Sequence, residues 1–256
     1  MATPRYRVYW QPGCTSCLRV KEFLSGAGIP YDSINVREHP EAAGELAALG
    51  VRAVPVVARG REFVLGQDLD EVAHFVGVEV GRARLEVPVL VARLIALLDT
   101  AAHLAAQIPA EALHASLPGR RRTHLDLAYH VSQVAAGFLD AAAGGRLTFE
   151  HFERKPPGGV DSAAAVSGHI ASASRAVSAW WLGSRTRLPD AVDTYYGRRS
   201  LHSVLERTTW HVAQHARQLE ALLLLRGAEP HPGLAPALLD GLPLPQGVWD
   251  AENTPG

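Results

Sequence analysis

Tyr6-Arg7-Val8-Tyr9-Trp10-Gln11-Pro12-Gly13-Cys14-Thr15-Ser16-Cys17 sets a short strand-like run directly before a CxxC motif. A CxxC at a strand-to-helix turn is suited to dithiol exchange. The unpaired N–H groups and positive potential of the helix N-terminus stabilise a thiolate there. Cys14 reads as the exposed nucleophile and Cys17, one helical turn deeper, as the resolving thiol. These are the two cysteines of the chain. A zinc ribbon would need a second Cys or His pair at matching spacing, and no other cysteine can supply one. The plain alternative, two inert cysteines close by chance, fits the strand–CxxC–helix context less well.

Working outward, the first 85 residues alternate strands and helices. Tyr6–Trp10 reads as a strand, Cys14–Ala27 as a helix and Tyr31–Val36 as a second strand. A short helix follows over Glu41–Leu49. Val54–Ala58 and Glu62–Leu65 read as a hairpin across Arg59-Gly60, and Asp68–Val76 as a last helix. A βαβ start puts the CxxC at the carboxyl end of a parallel strand, where open α/β sheets place their sites.

Cys14-Thr15-Ser16-Cys17, Ala53-Val54-Pro55-Val56 and Leu65-Gly66-Gln67-Asp68 together carry a family resemblance: residues 4–80 resemble a glutaredoxin or thioredoxin-fold redoxin. The resemblance implies an α/β thioredoxin-like N-terminal domain and thiol-disulfide oxidoreductase activity. It also implies a cis Pro55 beside the dithiol, with the backbone of Val54 pairing to a bound thiol substrate. The chain departs from glutaredoxins in three places: Thr15-Ser16 stands for Pro-Tyr, Gln11 for a preceding lysine, and Leu65-Gly66 for Gly-Gly. The last two weaken the case for glutathione as the thiol.

The chain has 256 residues, enough for two domains, with 47% hydrophobic and 20% charged residues. A net charge of -1 gives no bulk electrostatic reason to expect a nucleic acid or an acidic membrane surface as partner. No charged and then apolar leader pattern opens the sequence. The longest apolar run, Val87 to Leu98, is interrupted by Pro88 and Arg93 and is too short to span a bilayer. With no cysteines left to staple loops, a cytoplasmic setting is expected. The 12 histidines concentrate after residue 100.

From Leu85 onward strand signals vanish and amphipathic segments take over, near Val87–Gln107, Arg122–Ala143, Asp161–Leu182 and Arg198–Leu225. Pro109, Pro118-Gly119, Gly144-Gly145, Pro156-Pro157-Gly158-Gly159 and Pro189 fall between them. This pattern predicts an all-α four-helix-bundle C-terminal domain. The expected organisation is a redoxin domain over 1–85, a bundle over 86–227 and a Pro/Gly-rich tail over 228–256. Arg120-Arg121-Arg122 reads as a solvated basic turn, or as an anion site at a helix start.

His211 and His215 lie four residues apart on the last helix and share a face with Val204, Thr208, Leu219 and Leu222. One face and an interior position allow the pair to hold one metal ion. The competing reading makes one a satisfied core histidine and the other a surface residue. His130 lies mid-helix in an apolar neighbourhood and offers a third imidazole. Three imidazoles leave coordination positions open, as in catalytic metal sites. The Leu201–Leu223 segment with His130 resembles the DinB-like metal-binding bundle, over roughly residues 86–227. That superfamily includes bacterial thiol-dependent S-transferases and isomerases. The resemblance implies His130, His211 and His215 as metal ligands.

These observations give two expectations for function. The first is a thiol-handling enzyme joining dithiol-disulfide exchange to a three-His metal site that activates a low-molecular-weight thiol for transfer to an electrophile. The second is a plain oxidoreductase whose helical domain docks partners, dimerises the chain as a homodimer or senses metal. Zinc is the first choice of divalent metal, with nickel or iron as alternatives. Partners are then a small-molecule thiol with an electrophile or disulfide, and not nucleic acid or membrane.

Overall fold

The computed structural model describes residues 5–79, 81, 83–117 and 122–250. Of the features read above, Pro118-Gly119, Arg120-Arg121 and residues 251–256 lie outside them. The chain divides into two compact units, residues 1–82 with 245–256, and residues 83–244.

In the first unit the order is β1 (Tyr6–Trp10), α1 (Thr15–Gly26), β2 (Tyr31–Asn35), α2 (Ala42–Ala48), β3 (Val56–Arg59), β4 (Glu62–Leu65) and α3 (Leu69–Val76). The sheet runs β2-β1-β3-β4, with β1 parallel to β2 and antiparallel to β3. This is an α/β thioredoxin-like sheet. Strand alternation divides its core. Tyr9, Val56 and Ala58 pack with Ile34, Val51 and the α2 residues Ala42 and Leu46. Val8 and Val57 point the other way, onto Val20 and Leu24 of α1 and Val72 and Val76 of α3. Gly66 lies where β4 leaves the sheet; a Cβ there would sit 2.8 Å from Pro55 Cγ and 2.7 Å from Val20 Cγ2. The expected Leu65-Gly66 pair is thus a close-approach point beside Pro55.

Residues 245–250 belong to this unit. Glu22 on α1 accepts from the Gln246 and Gly247 N–H groups at 2.6 and 2.9 Å. Lys21 Nζ pairs with Asp250 at 2.8 Å and lies 3.6 Å from the centre of the Trp10 ring. The residues of the expected tail over 228–256 are shared between the two units. Its first part, to Leu244, is built into the helical unit, and Pro245 to Asp250 into the first.

The second unit comprises α4 (Val87–Ala106), α5 (Ala110–Leu113), α6 (His124–Ala142), β5 (Arg146–Leu147), α7 (Glu150–Glu153), α8 (Ala163–Ser184), β6 (Ala191–Thr194), β7 (Gly197–Ser200) and α9 (Leu201–Leu224). The long helices α4 and α6 each pack against both α8 and α9. Leu90, Leu94, Leu97, Leu98 and Leu104 of α4 are completely buried, each contributing about 1.5–3 kcal/mol by burial. Although α4 is long and apolar enough to cross a membrane, its buried face packs on α8 and α9. α6 opens with a capping box, in which Thr123 accepts from Asp126 N–H and Asp126 from Thr123 N–H.

Strands do occur after Leu85, contrary to expectation. β5 pairs parallel with β6, and β6 antiparallel with β7, in a three-stranded sheet. Runs of two to four residues are too short to leave a period-2 signal between long helices. The last helix starts at Leu201 and not Arg198, because Arg198, Arg199 and Ser200 pair with β6. Ser200 then caps it, accepting from Ser203 N–H. α8 likewise begins after Ser162, whose hydroxyl accepts from Ala165 N–H.

Candidate functional site

Cys14 is the N-cap of α1, and Cys17 lies in its first turn. Cys14 is half-buried and Cys17 completely buried, and the two form a disulfide. The Cys17 N–H points at Cys14 Sγ, 3.2 Å away. In the reduced dithiol this N–H and the helix terminus favour negative charge on Cys14. The more exposed cysteine is thus the one whose thiolate the backbone supports.

The Val54–Pro55 bond is cis, and Pro55 is buried while Val54 is half-buried. The Val54 carbonyl accepts from Gln67 Nε2 at 3.2 Å, and the Gln67 carbonyl from Arg19 Nη2 at 2.9 Å. One of the two Val54 backbone groups expected to meet a substrate is therefore already engaged. Gln67 and Arg19 brace this loop against α1.

His130 of α6 and His211 and His215 of α9 come together in the helical unit. One ligand atom from each lies within 4.8 Å of the others, and all three residues are buried. Ring centres are 5.5 Å apart for His130–His211, 4.9 Å for His130–His215 and 4.7 Å for His211–His215. Donors on a tetrahedral zinc with bonds of about 2.1 Å stand roughly 3.4 Å apart. Side-chain adjustments on the order of 1 Å would close this cluster on one ion. The His215 Nδ1 lies 2.8 Å from Gln218 Oε1. With the amide oxygen facing it, the ring carries its proton on Nδ1 and its lone pair on Nε2, the tautomer a ligand needs. The donor set therefore fits a divalent ion that binds imidazole.

Aromatic side chains cover this cluster. Phe152 of α7 lies 5.8 Å, ring centre to ring centre, from both His130 and His211. Tyr195, at the β6–β7 turn, meets Phe152 edge-on at 6.0 Å. Arg207, one turn before His211 on α9, stacks 5.3 Å from the Phe152 centroid and donates to Tyr195 Oη at 3.2 Å. Phe152, Tyr195, Arg207 and Gln218 went unremarked in the sequence. Only Arg207 and Gln218 carried a signal, their helical spacing from the histidine pair. By contrast, His169 is exposed at the edge of Tyr129 and lies outside the cluster.

A glutaredoxin family model matches residues 7–64. The Gene 56 protein of Mycobacterium phage D29 is 33% identical over 78 residues, 30% of this chain and 86% of that protein. The glutaredoxin-like protein NrdH of Lactococcus lactis subsp. lactis (strain IL1403) is 38% identical over 52 residues, 20% of this chain and 72% of NrdH. The chain belongs to the glutaredoxin family. NrdH of Escherichia coli (strain K12) is also similar, at 38% over 56 residues, 22% of this chain and 69% of its own. No solved structure matches the chain significantly.

The glutaredoxin unit is a thiol-disulfide oxidoreductase with Cys14 and Cys17 as its redox pair. Its family model ends at residue 64, and these three relatives cover no more than 30% of the chain. The chemistry of the helical unit rests on its own geometry.

Proposed function

We propose that the chain joins two thiol chemistries: disulfide exchange at Cys14–Cys17, and metal-dependent transfer of a low-molecular-weight thiol to an electrophile in the helical unit. In the first, Cys14 thiolate attacks a substrate disulfide and expels one thiolate. Cys17 then attacks the mixed disulfide, releasing the second thiolate and closing Cys14–Cys17.

The observation that carries the second activity is the buried meeting of His130, His211 and His215. On this reading the helical unit is a DinB-like four-helix bundle, and the three imidazoles hold one divalent ion, zinc being preferred. Such an ion supplies a Lewis acid that lowers the pKa of a coordinated thiol. Gln218 holds His215 in its ligating tautomer. The three histidines are buried, with Phe152 packed beside His130 and His211, so that charge interactions within the cluster are strengthened.

The test is turnover of thiol and electrophile pairs by the full chain, metal-stripped and then reloaded with zinc, nickel or iron. Thiol consumption should require the reloaded ion and survive Cys14→Ser, while disulfide reduction should not survive it. Equal thiol consumption by stripped and reloaded protein would leave only the oxidoreductase.

A further inference from the structure

Arg207 is 94% buried, with 6% of its surface exposed. Its guanidinium packs on aromatic rings, one of which, Tyr196, also carries Arg199 at 5.6 Å. It stacks 5.3 Å from the Phe152 centroid and 5.5 Å from that of Tyr196, and donates through Nη2 to Tyr195 Oη. Its Nε is buried without a hydrogen-bond partner. No carboxylate lies within ion-pair distance of it among the described residues. Its sequence neighbour Glu206 pairs instead with Arg84, at 3.9 Å. A buried guanidinium is costly without an anion, and replacing it with an apolar residue would usually stabilise such a site.

Arg207 is also one turn from His211 and two from His215 on the same helix. Phe152 is a neighbour of both Arg207 and the cluster, its ring centre 5.3 Å from the Arg207 guanidinium and 5.8 Å from the ring centres of His130 and His211. Tyr195 accepts from Arg207, so its own O–H is oriented to donate elsewhere. A guanidinium fork and a phenol hydroxyl are a donor set matched to a carboxylate.

We propose that Arg207 and Tyr195 form an anion subsite beside the three histidines, which takes a carboxylate of the thiol or of its electrophile. The proposal rests on the thiol-transfer reading for its reaction but not for its binding measurement. A carboxylate held here would place the rest of the molecule next to the histidines.

The test uses the full chain with succinate as probe, followed by calorimetry or ligand-observed NMR, and with metal content measured on every variant. Wild type should bind succinate. Arg207→Met should lose at least tenfold in affinity at unchanged metal content, with Arg207→Lys between the two. Tyr195→Phe, at a half-buried turn, should weaken binding several-fold and serves if Arg207→Met does not fold. Among reacting pairs, Arg207→Lys should raise KM for whichever member bears the carboxylate and not for its uncharged analogue, which identifies the source. Failure of wild type to bind succinate, or equal affinity in the wild type, Arg207→Lys and Tyr195→Phe proteins, would overturn the subsite. Protein that takes up no metal from zinc-supplemented buffer yet binds succinate through Arg207 would keep the subsite and reject the metal reading. Metal-loaded protein blind to succinate would do the reverse.

Discussion

At the scale of single residues, the dithiol derives its asymmetry from one helix start. Cys14, a half-buried residue, caps α1 with its sulfur facing the Cys17 N–H, whereas Cys17 is sealed inside. Cys14→Ser should therefore abolish reduction of a model disulfide, and Cys17→Ser should accumulate a mixed disulfide on Cys14, read by mass spectrometry. Faster alkylation of Cys17 than of Cys14 in the reduced protein would reverse the assignment. His124, at the start of α6, sets a pH dependence. Burial pushes its pKa below the usual imidazole range, Arg226 adds to this, and a hydrogen bond with the Ala112 backbone opposes it. The folded state thus holds the proton less tightly than the unfolded chain. Stability is unaffected by His124 above about pH 6.5 and falls as pH drops from there toward its folded value. Denaturant melts at pH 7 and pH 5.5 should show a loss that is smaller in His124→Gln. An equal loss in both would remove the assignment.

At the scale of elements, α6 reaches its neighbours across Gly137. A Cβ there would stand 2.6 Å from Leu147 Cδ1 of β5 and 3.2 Å from His151 Cγ of α7, the helix that carries Phe152. Gly→Ala inside a helix normally stabilises by about 1 kcal/mol. Here Leu147 is 1% exposed and must shift within packed surroundings, so the sign should reverse. Gly137→Ala should melt at lower urea than wild type, and Gly137→Val should lose about 2–3 kcal/mol. A stabilised Gly137→Ala would show that β5 and α7 do not pack as described. The long elements were legible because their apolar period persists for five turns or more, and the CxxC because its spacing is local. β5, β6, β7 and α7 were not, since two to four residues carry no period. The aromatic cover over the histidines was hidden for the same reason: Phe152 and Tyr195 ride on those short elements. His130 was readable only as a buried polar residue, and its meeting with α9 depends on how the long helices pack.

On the scale of the whole molecule, the two units are not consecutive halves of the chain. Pro245 to Asp250 returns to α1 of the glutaredoxin unit. There Asp250 meets Lys21, with both side chains at least 93% buried. Removing one member of a buried pair costs about 3–5 kcal/mol, a penalty reduced here by the Trp10 face that Lys21 retains. Asp250→Ala should accordingly destabilise the glutaredoxin unit by about 3 kcal/mol, and a fragment cut at residue 85 should be weakened similarly. A fragment over residues 1–85 as stable as the same unit in the full chain would refute this docking. In the other unit three histidines from two helices converge, the basis of the proposed metal site. Metal content of the purified full chain, determined by elemental analysis beside native mass spectrometry, tests it most directly. One equivalent of divalent metal in wild type, falling to a small fraction of that in His211→Ala and in His130→Ala, is the predicted result. Folded wild type that takes up no metal from zinc-supplemented buffer, or metal content untouched by His130→Ala, His211→Ala and His215→Ala together, would contradict it.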